Sequence, residues 1–253
     1  MTSAILRVNP VAKLAVSFLL GITLVLTLDW VSATVAIVLE SILFFWAGVS
    51  WRTFWLRTLP VWTAAPLVAL TIALYGRVSG HSYFEWYLVQ VTSGSITLAI
   101  ATALRVLAIG LPAVVLFITI DPTDLADGLA QLVRLPARFV LGSLAALRLV
   151  GLFIDDWRSL ELARRARGVA DRGRLRRFAG QVFALLVLSI RRGSKLATAM
   201  EARGFGAYPT RTWARASTFG RREIILVSAG IAIAAVAISV SIGAGSWNFI
   251  GTR

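Results

Sequence analysis

The chain has 253 residues, 58% of them apolar and only 15% charged, with a formal net charge of +14. Soluble domains are about 45–50% apolar and roughly 25% charged, so this composition excludes an ordinary soluble domain and indicates an integral membrane protein. With no cysteine and a single histidine, His81, the chain can form neither a disulfide framework nor a thiolate metal site, and has little for histidine-based catalysis.

An apolar stretch of roughly 18 or more residues can cross the hydrocarbon core as a helix. Four stretches before position 120 approach or meet that length: Leu14–Leu28, Val31–Val49, Leu59–Tyr75 and Ser95–Thr119. A fifth, Glu223–Gly243, lies near the C terminus. The expected fold is therefore all-α: a polytopic membrane protein of about five transmembrane helices with a cytoplasmic module of long amphipathic helices. Its segments are the four spans of 1–119, the module 120–222, and the last span with its tail, 223–253.

Flanking charges orient the spans. Arg7 and Lys13 precede the first, and Arg52 and Arg57 lie between the second and third. The Asp29-Trp30 turn has no basic residue, the 76–94 loop has only Arg77, and the C-terminal tail has only Arg253. Cytoplasmic loops are enriched in Lys and Arg, so the expected N terminus is cytoplasmic and the C terminus external. Tyr83, Phe84, Trp86 and Tyr87 in the 76–94 loop suit an interfacial aromatic belt.

Residues 120–222 carry 19 of the 26 basic residues and 8 of the 12 acids. Such a cluster could face nucleic acid, anionic lipid or an acidic protein. In a membrane protein a cytoplasmic segment is the expected reading, with no nucleic-acid partner. Two apolar runs interrupt it, Phe139–Ile154 of 16 residues and Phe178–Ile190 of 13, both short for a span and flanked by arginine at each end. They are expected as helices at or just under the membrane.

Within the spans, Glu40 and Arg105 are the two ionisable residues far from either end. Such groups usually face the bundle interior with a partner. Both lie at a similar depth, which predicts a structural ion pair.

The basic segment contains one spelling twice. Ala163 to Gly168 and Ala199 to Gly204 both read Ala-x-x-Ala-Arg-Gly, with Arg167 and Arg203 36 positions apart. Glycine tolerates the left-handed conformation that ends a helix, so Gly168 and Gly204 are predicted stops, the second followed shortly by Pro209. Each arginine then sits by the negative end of a helix dipole. Either ending alone is an ordinary cap. As a pair, with small neighbours Ala166 and Ala202 permitting close approach, they suit two similar receiving grooves in which a guanidinium meets a carboxylate in bidentate fashion.

The sequence here resembles the transmembrane T component of energy-coupling factor transporters, a branch of the ABC importers. The likeness begins with Asn9-Pro10 and Lys13-Leu14, as in the family's Pro-x-x-Lys-Leu opening. It continues in Thr119, Pro122, Leu125, Leu129, Pro136 and Leu147-Arg148, and is strongest in the triplets 166–168 and 202–204. The resemblance implies a non-catalytic scaffold in the cell membrane. Two ABC-type ATPase subunits would receive Ala166, Arg167, Gly168 and Ala202, Arg203, Gly204. A small substrate-binding membrane subunit would rest on Phe139–Ile154 and Phe178–Ile190, for uptake of a vitamin or a transition-metal ion. The first triplet is followed by Val169-Ala170 and the second by Phe205-Gly206, so the two grooves need not be identical.

The chain has no GxxxxGK[ST] phosphate loop, so ATP hydrolysis is expected in partners. No catalytic set, cofactor or metal is expected either. Two alternatives stand beside this reading. One is a conventional ABC importer permease, whose single Glu-Ala-Ala coupling loop Glu201-Ala202-Arg203-Gly204 resembles only loosely. The other is a lipid-acting membrane enzyme, for which Asp121, Asp124 and Asp127 are the available acids, although they better suit a helix start.

Overall fold

The structure, a computed structural model, describes residues 5, 8–27, 29–48, 50–76, 79–86, 89–168, 173–207 and 212–247. Arg7, Leu28, Val49, Arg77, Tyr87, Val169, Ala170, Pro209 and Arg253 lie outside the described residues. The elements run α1 (Pro10–Leu26), α2 (Trp30–Ala47), α3 (Trp51–Tyr75), β1 (Ser82–Trp86), β2 (Val89–Thr92), α4 (Ser93–Ile118), α5 (Pro122–Gln131), α6 (Ala137–Ala166), α7 (Arg174–Ala202) and α8 (Arg221–Gly243).

Local chemistry fixes several helix starts. Asn9 caps α1 by accepting from the Val11 amide, with Pro10 at the first helical position. The Asp29 carboxylate caps α2, and Thr92 with Ser95 forms a capping box on α4. Asp121 accepts from the Thr123 amide at 2.7 Å where α5 begins, as expected for these acids.

Among the described residues, α3, α4, α6 and α8 are long and apolar enough to cross a membrane, while α1 and the apolar part of α2 are shorter. The chain is a multi-pass membrane protein, but these four are not the expected five spans. The chief difference is α6. The apolar run Phe139–Ile154 is part of one 30-residue helix, Ala137–Ala166, that continues through Asp155 and Asp156 to the stop expected at Gly168. Ion pairs absorb both charges: Arg158 with Asp155 on the helix itself, and Arg192 with Asp156 from α7. Likewise Phe178–Ile190 is the middle of one 29-residue helix, Arg174–Ala202, that ends at the second triplet.

The fold is all-α as expected, with one addition in the 76–94 loop, an antiparallel hairpin pairing Phe84 with Val91 and Trp86 with Val89. Aromatic and β-branched residues favour a pleated strand, and the ladder satisfies backbone groups that an irregular loop would leave to solvent. Tyr83 and Phe84 are exposed on it.

The chain divides into two units, Met1–Leu125 with Thr218–Arg253, and Ala126–Ser217. In the first, α1, α2, α4 and α8 share a core of Ala12, Val16, Leu20, Leu24, Ala36, Ala108, Leu116, Leu226, Ile233 and Ala237. Small residues set the close approaches, as helices in lipid require. A Cβ on Gly230 would lie 2.8 Å from Val16 Cγ1, and one on Gly110 would lie 2.5 Å from Val61 Cγ1. In the second unit, Ala126, Ala130 and Val140 pack with Leu129, Leu144 and Trp213. The Gln131 side chain ties the 212–217 segment down, donating to the Arg215 carbonyl and accepting from the Ser217 amide.

Candidate functional site

The two arginine triplets end α6 and α7 in nearly the same conformation. Arg167 is the C-cap of α6 at φ −88° and ψ 1°, and Arg203 is the C-cap of α7 at φ −87° and ψ 10°. Gly168 and Gly204 follow in the left-handed region at φ 68° and 73°. The Gly168 amide donates to the Arg165 carbonyl at 3.0 Å, and Gly204 donates to the Glu201 carbonyl at 2.9 Å. After Gly204 the Phe205 amide returns to the Met200 carbonyl at 3.0 Å, which completes a Schellman ending. Both stops are those read from the sequence, and the local reason is the same: only glycine takes this conformation without a Cβ penalty.

All six triplet residues are exposed, and a Cβ on either glycine would meet nothing within 4 Å. The side chains of Arg167 and Arg203 make no ion pair among the described residues. Their neighbours contrast with them. Arg165 pairs with Glu161 at 2.6 Å, Arg192 holds Asp156 through two bonds of 2.6 and 3.3 Å, and Arg164 donates to the Arg177 carbonyl. Arg164, Arg165 and Arg192 thus hold neighbouring groups within the hairpin, whereas Arg167 and Arg203 stand exposed at its helix ends.

The helices α6 and α7 run back along one another. Trp157 meets Phe178 with ring centres 5.8 Å apart, the Asp156–Arg192 pair bridges them, and Arg164 reaches α7 near Gly180. At the opposite end of α7, Arg138 Nη2 donates to the Gly206 carbonyl at 2.6 Å. The triplets therefore lie at opposite ends of a 29-residue helix. At about 1.5 Å per residue that separates them by roughly 40 Å. Along the hairpin, Phe139, Leu147, Val150, Leu152 and Ile154 of α6, and Phe178, Phe183, Leu186, Val187 and Ile190 of α7, are exposed.

The expected ion pair within the spans is not formed. Both carboxylate oxygens of Glu40 and Nη2 of Arg105 are buried without a hydrogen-bond partner. Equal depth does not imply facing side chains, because each residue turns a helix by about 100°.

Two positions carry more than the sequence reading assigned them. Arg138, taken only as a flanking charge, fixes the backbone just after the second triplet. Asp29, noted only for the lack of a basic neighbour, is buried at the start of α2, where it accepts from Ser32 N at 2.7 Å, Ser32 Oγ at 2.6 Å and Ser241 Oγ at 2.6 Å. The Asp29-x-x-Ser32 spacing of a helix cap was the available signal.

Comparison with known proteins gives one consistent likeness. The family described as CbiQ, cobalt transport protein, matches residues 1–213. The energy-coupling factor transporter transmembrane protein EcfT of Limosilactobacillus fermentum is 30% identical over 190 residues, covering 67% of this chain and 71% of that protein. The EcfT of Bacillus selenitireducens is 26% identical over 248 residues, covering 92% and 91%. That of Brevibacillus brevis is 29% identical over 191 residues, covering 70% and 71%.

Proposed function

Because this chain belongs to the CbiQ cobalt transport protein family, we propose that it is a non-catalytic scaffold coupling ATP hydrolysis by two partner ATPases to movement of a separate substrate-binding membrane subunit. The observation that carries this reading is the pair of matched helix ends. Arg167 and Arg203 stand exposed at C-caps of the same geometry, without an ion pair among the described residues and a helix length apart. A single docking loop would need one such end. Two suit one groove on each of two similar subunits, each offering a carboxylate to the guanidinium fork.

In this reading the ATPases take hold of the α6–α7 hairpin at its two ends, and their nucleotide-driven closing moves it. The substrate-binding subunit rests on the exposed apolar residues of α6 and α7, and its reorientation releases a vitamin or a transition-metal ion inward. Charge supports the orientation: the basic 120–222 segment and Arg52 and Arg57 suit the cytoplasmic side, with the N terminus there and the C terminus outside. Selectivity then lies in the substrate-binding subunit.

Affinity purification in mild detergent, with identification of the accompanying chains, tests the proposal. Two ATPases and a small membrane protein are the expected companions. Recovery of the chain alone, or of one ATPase without a second membrane subunit, would contradict it.

A further inference from the structure

We propose that Asn9 and Lys13, one turn apart at the start of α1, form a single anchor for both roots of the segment that carries the triplets, and so act as positioning residues for coupling. This rests on the docking reading above.

The chain leaves the first unit after α4 and returns to it before α8. At the exit, Thr119 is the C-cap of α4, and its carbonyl accepts from Lys13 Nζ at 2.9 Å. At the return, Asn9 Nδ2 donates to the Thr218 carbonyl at 3.2 Å, and the Asn9 amide donates to Glu223 Oε1 at 2.9 Å. The other oxygen of Glu223 accepts from the Gly220 amide at 2.8 Å, closing the first turn of α8. Thr119 and Thr218, 99 positions apart in sequence, are thus held by two residues four positions apart.

The chemistry of Lys13 shows that the contact is specific. Its side chain is fully buried in the first turn of an otherwise apolar helix. Burying an ammonium is costly unless it is paired and hydrogen-bonded, whereas a methionine would fill the same space without that penalty. The ammonium is used where it is best placed, on a helix C-terminal carbonyl at the negative end of the α4 dipole, with Asp124 of α5 as the nearby carboxylate. Glu223 mirrors it at the other root, an acid at the positive end of α8 holding the Asn9 amide. The two charges tie α1 to the end of α4 and to the beginning of α8.

The consequence is mechanical. Displacement of residues 126–217 by docked ATPases pulls on both roots. If both are fixed to one helix start, the segment pivots about a defined point; if either slips, the displacement dissipates in the linkers. Loosening the anchor therefore leaves docking and ATP hydrolysis intact and removes the directed movement.

The test uses the complex with its ATPases in nanodiscs, with spin labels at the exposed positions Phe18 and Thr198 after substitution by cysteine. Lys13→Met deletes the ammonium and keeps the stem. Asn9→Ser keeps a good helix cap and loses the amide that reaches Thr218, so it provides a second route should Lys13→Met fold poorly. Each variant is expected to copurify with the ATPases and hydrolyse ATP within about twofold of the parent. The label-to-label distance distribution is expected to be at least about twice as wide, without the shift on adding ATP that the parent shows. A parent-like width and shift in either folded variant would overturn the anchor. Failure of the parent itself to bring down ATPases would instead overturn the docking reading.

Discussion

The Asp156–Arg192 pair makes the α6–α7 hairpin a measurable element. Its two hydrogen bonds, 2.6 and 3.3 Å, join side chains that are 22% and 37% exposed. Exposed ion pairs contribute about 0.2–1 kcal/mol, and hydrogen bonds to charged groups about 1.5–3 kcal/mol. A two-bond pair of intermediate exposure should therefore couple by about 1 kcal/mol, a factor of about five in the opening equilibrium of the hairpin. The assay is a double-mutant cycle of Asp156→Asn and Arg192→Gln, followed by hydrogen exchange of α7 amides in detergent. Each single substitution should lower protection around Arg192, and the double substitution should cost about 1 kcal/mol less than the sum of the two. Strict additivity, or a loss confined to α6, would refute the claim that this pair holds the helices together.

Four further outcomes follow from the packing. Gly193 lies inside α7 with open space around it, so Gly193→Ala should raise the thermal midpoint of the isolated chain by adding about 1 kcal/mol of helix propensity. Gly204→Ala should do the opposite, losing about 1 kcal/mol to its left-handed backbone and increasing exchange at Met200–Arg203. At the contact with Val16, Gly230→Val should lower the midpoint by overpacking worth about 1–3 kcal/mol, as seen in a detergent melting curve. Because the Glu40 carboxylate is buried without a partner, Glu40→Gln should raise the midpoint; a marked fall would mean that an ion pair had been broken.

What could be foreseen in the sequence was local, and what was missed was relational. The helix stops at Gly168 and Gly204 were legible because a left-handed glycine after an arginine is decided within four residues. The helix start at Asp121 was legible for the same reason. The extent of α6 was legible too, in the proline-free, Ala-, Leu- and Arg-rich stretch between Pro136 and Gly168, whereas the tie from Arg192 to Asp156, 36 positions apart, was not. Glu40 and Arg105 share a depth, but depth leaves the azimuth of each side chain open, and the two groups do not meet. The hairpin at Ser82–Thr92 was hidden because its aromatic residues satisfy an interfacial reading as well as a pleated one. Lys13 was visible as a charge before a span, but not as the cap of a helix more than a hundred residues away.

The central claim is that Arg167 and Arg203 are the two points at which partner ATPases hold this chain. Quantitative copurification of the ATPases with the Arg167→Glu and Arg203→Glu chains, singly and together, tests it most directly. Each single reversal should reduce recovery partially, since the other end still docks and linked sites reinforce one another. The double variant should remain in the membrane at parental abundance and bring down no ATPase. Undiminished recovery of ATPases with the double variant would contradict the account.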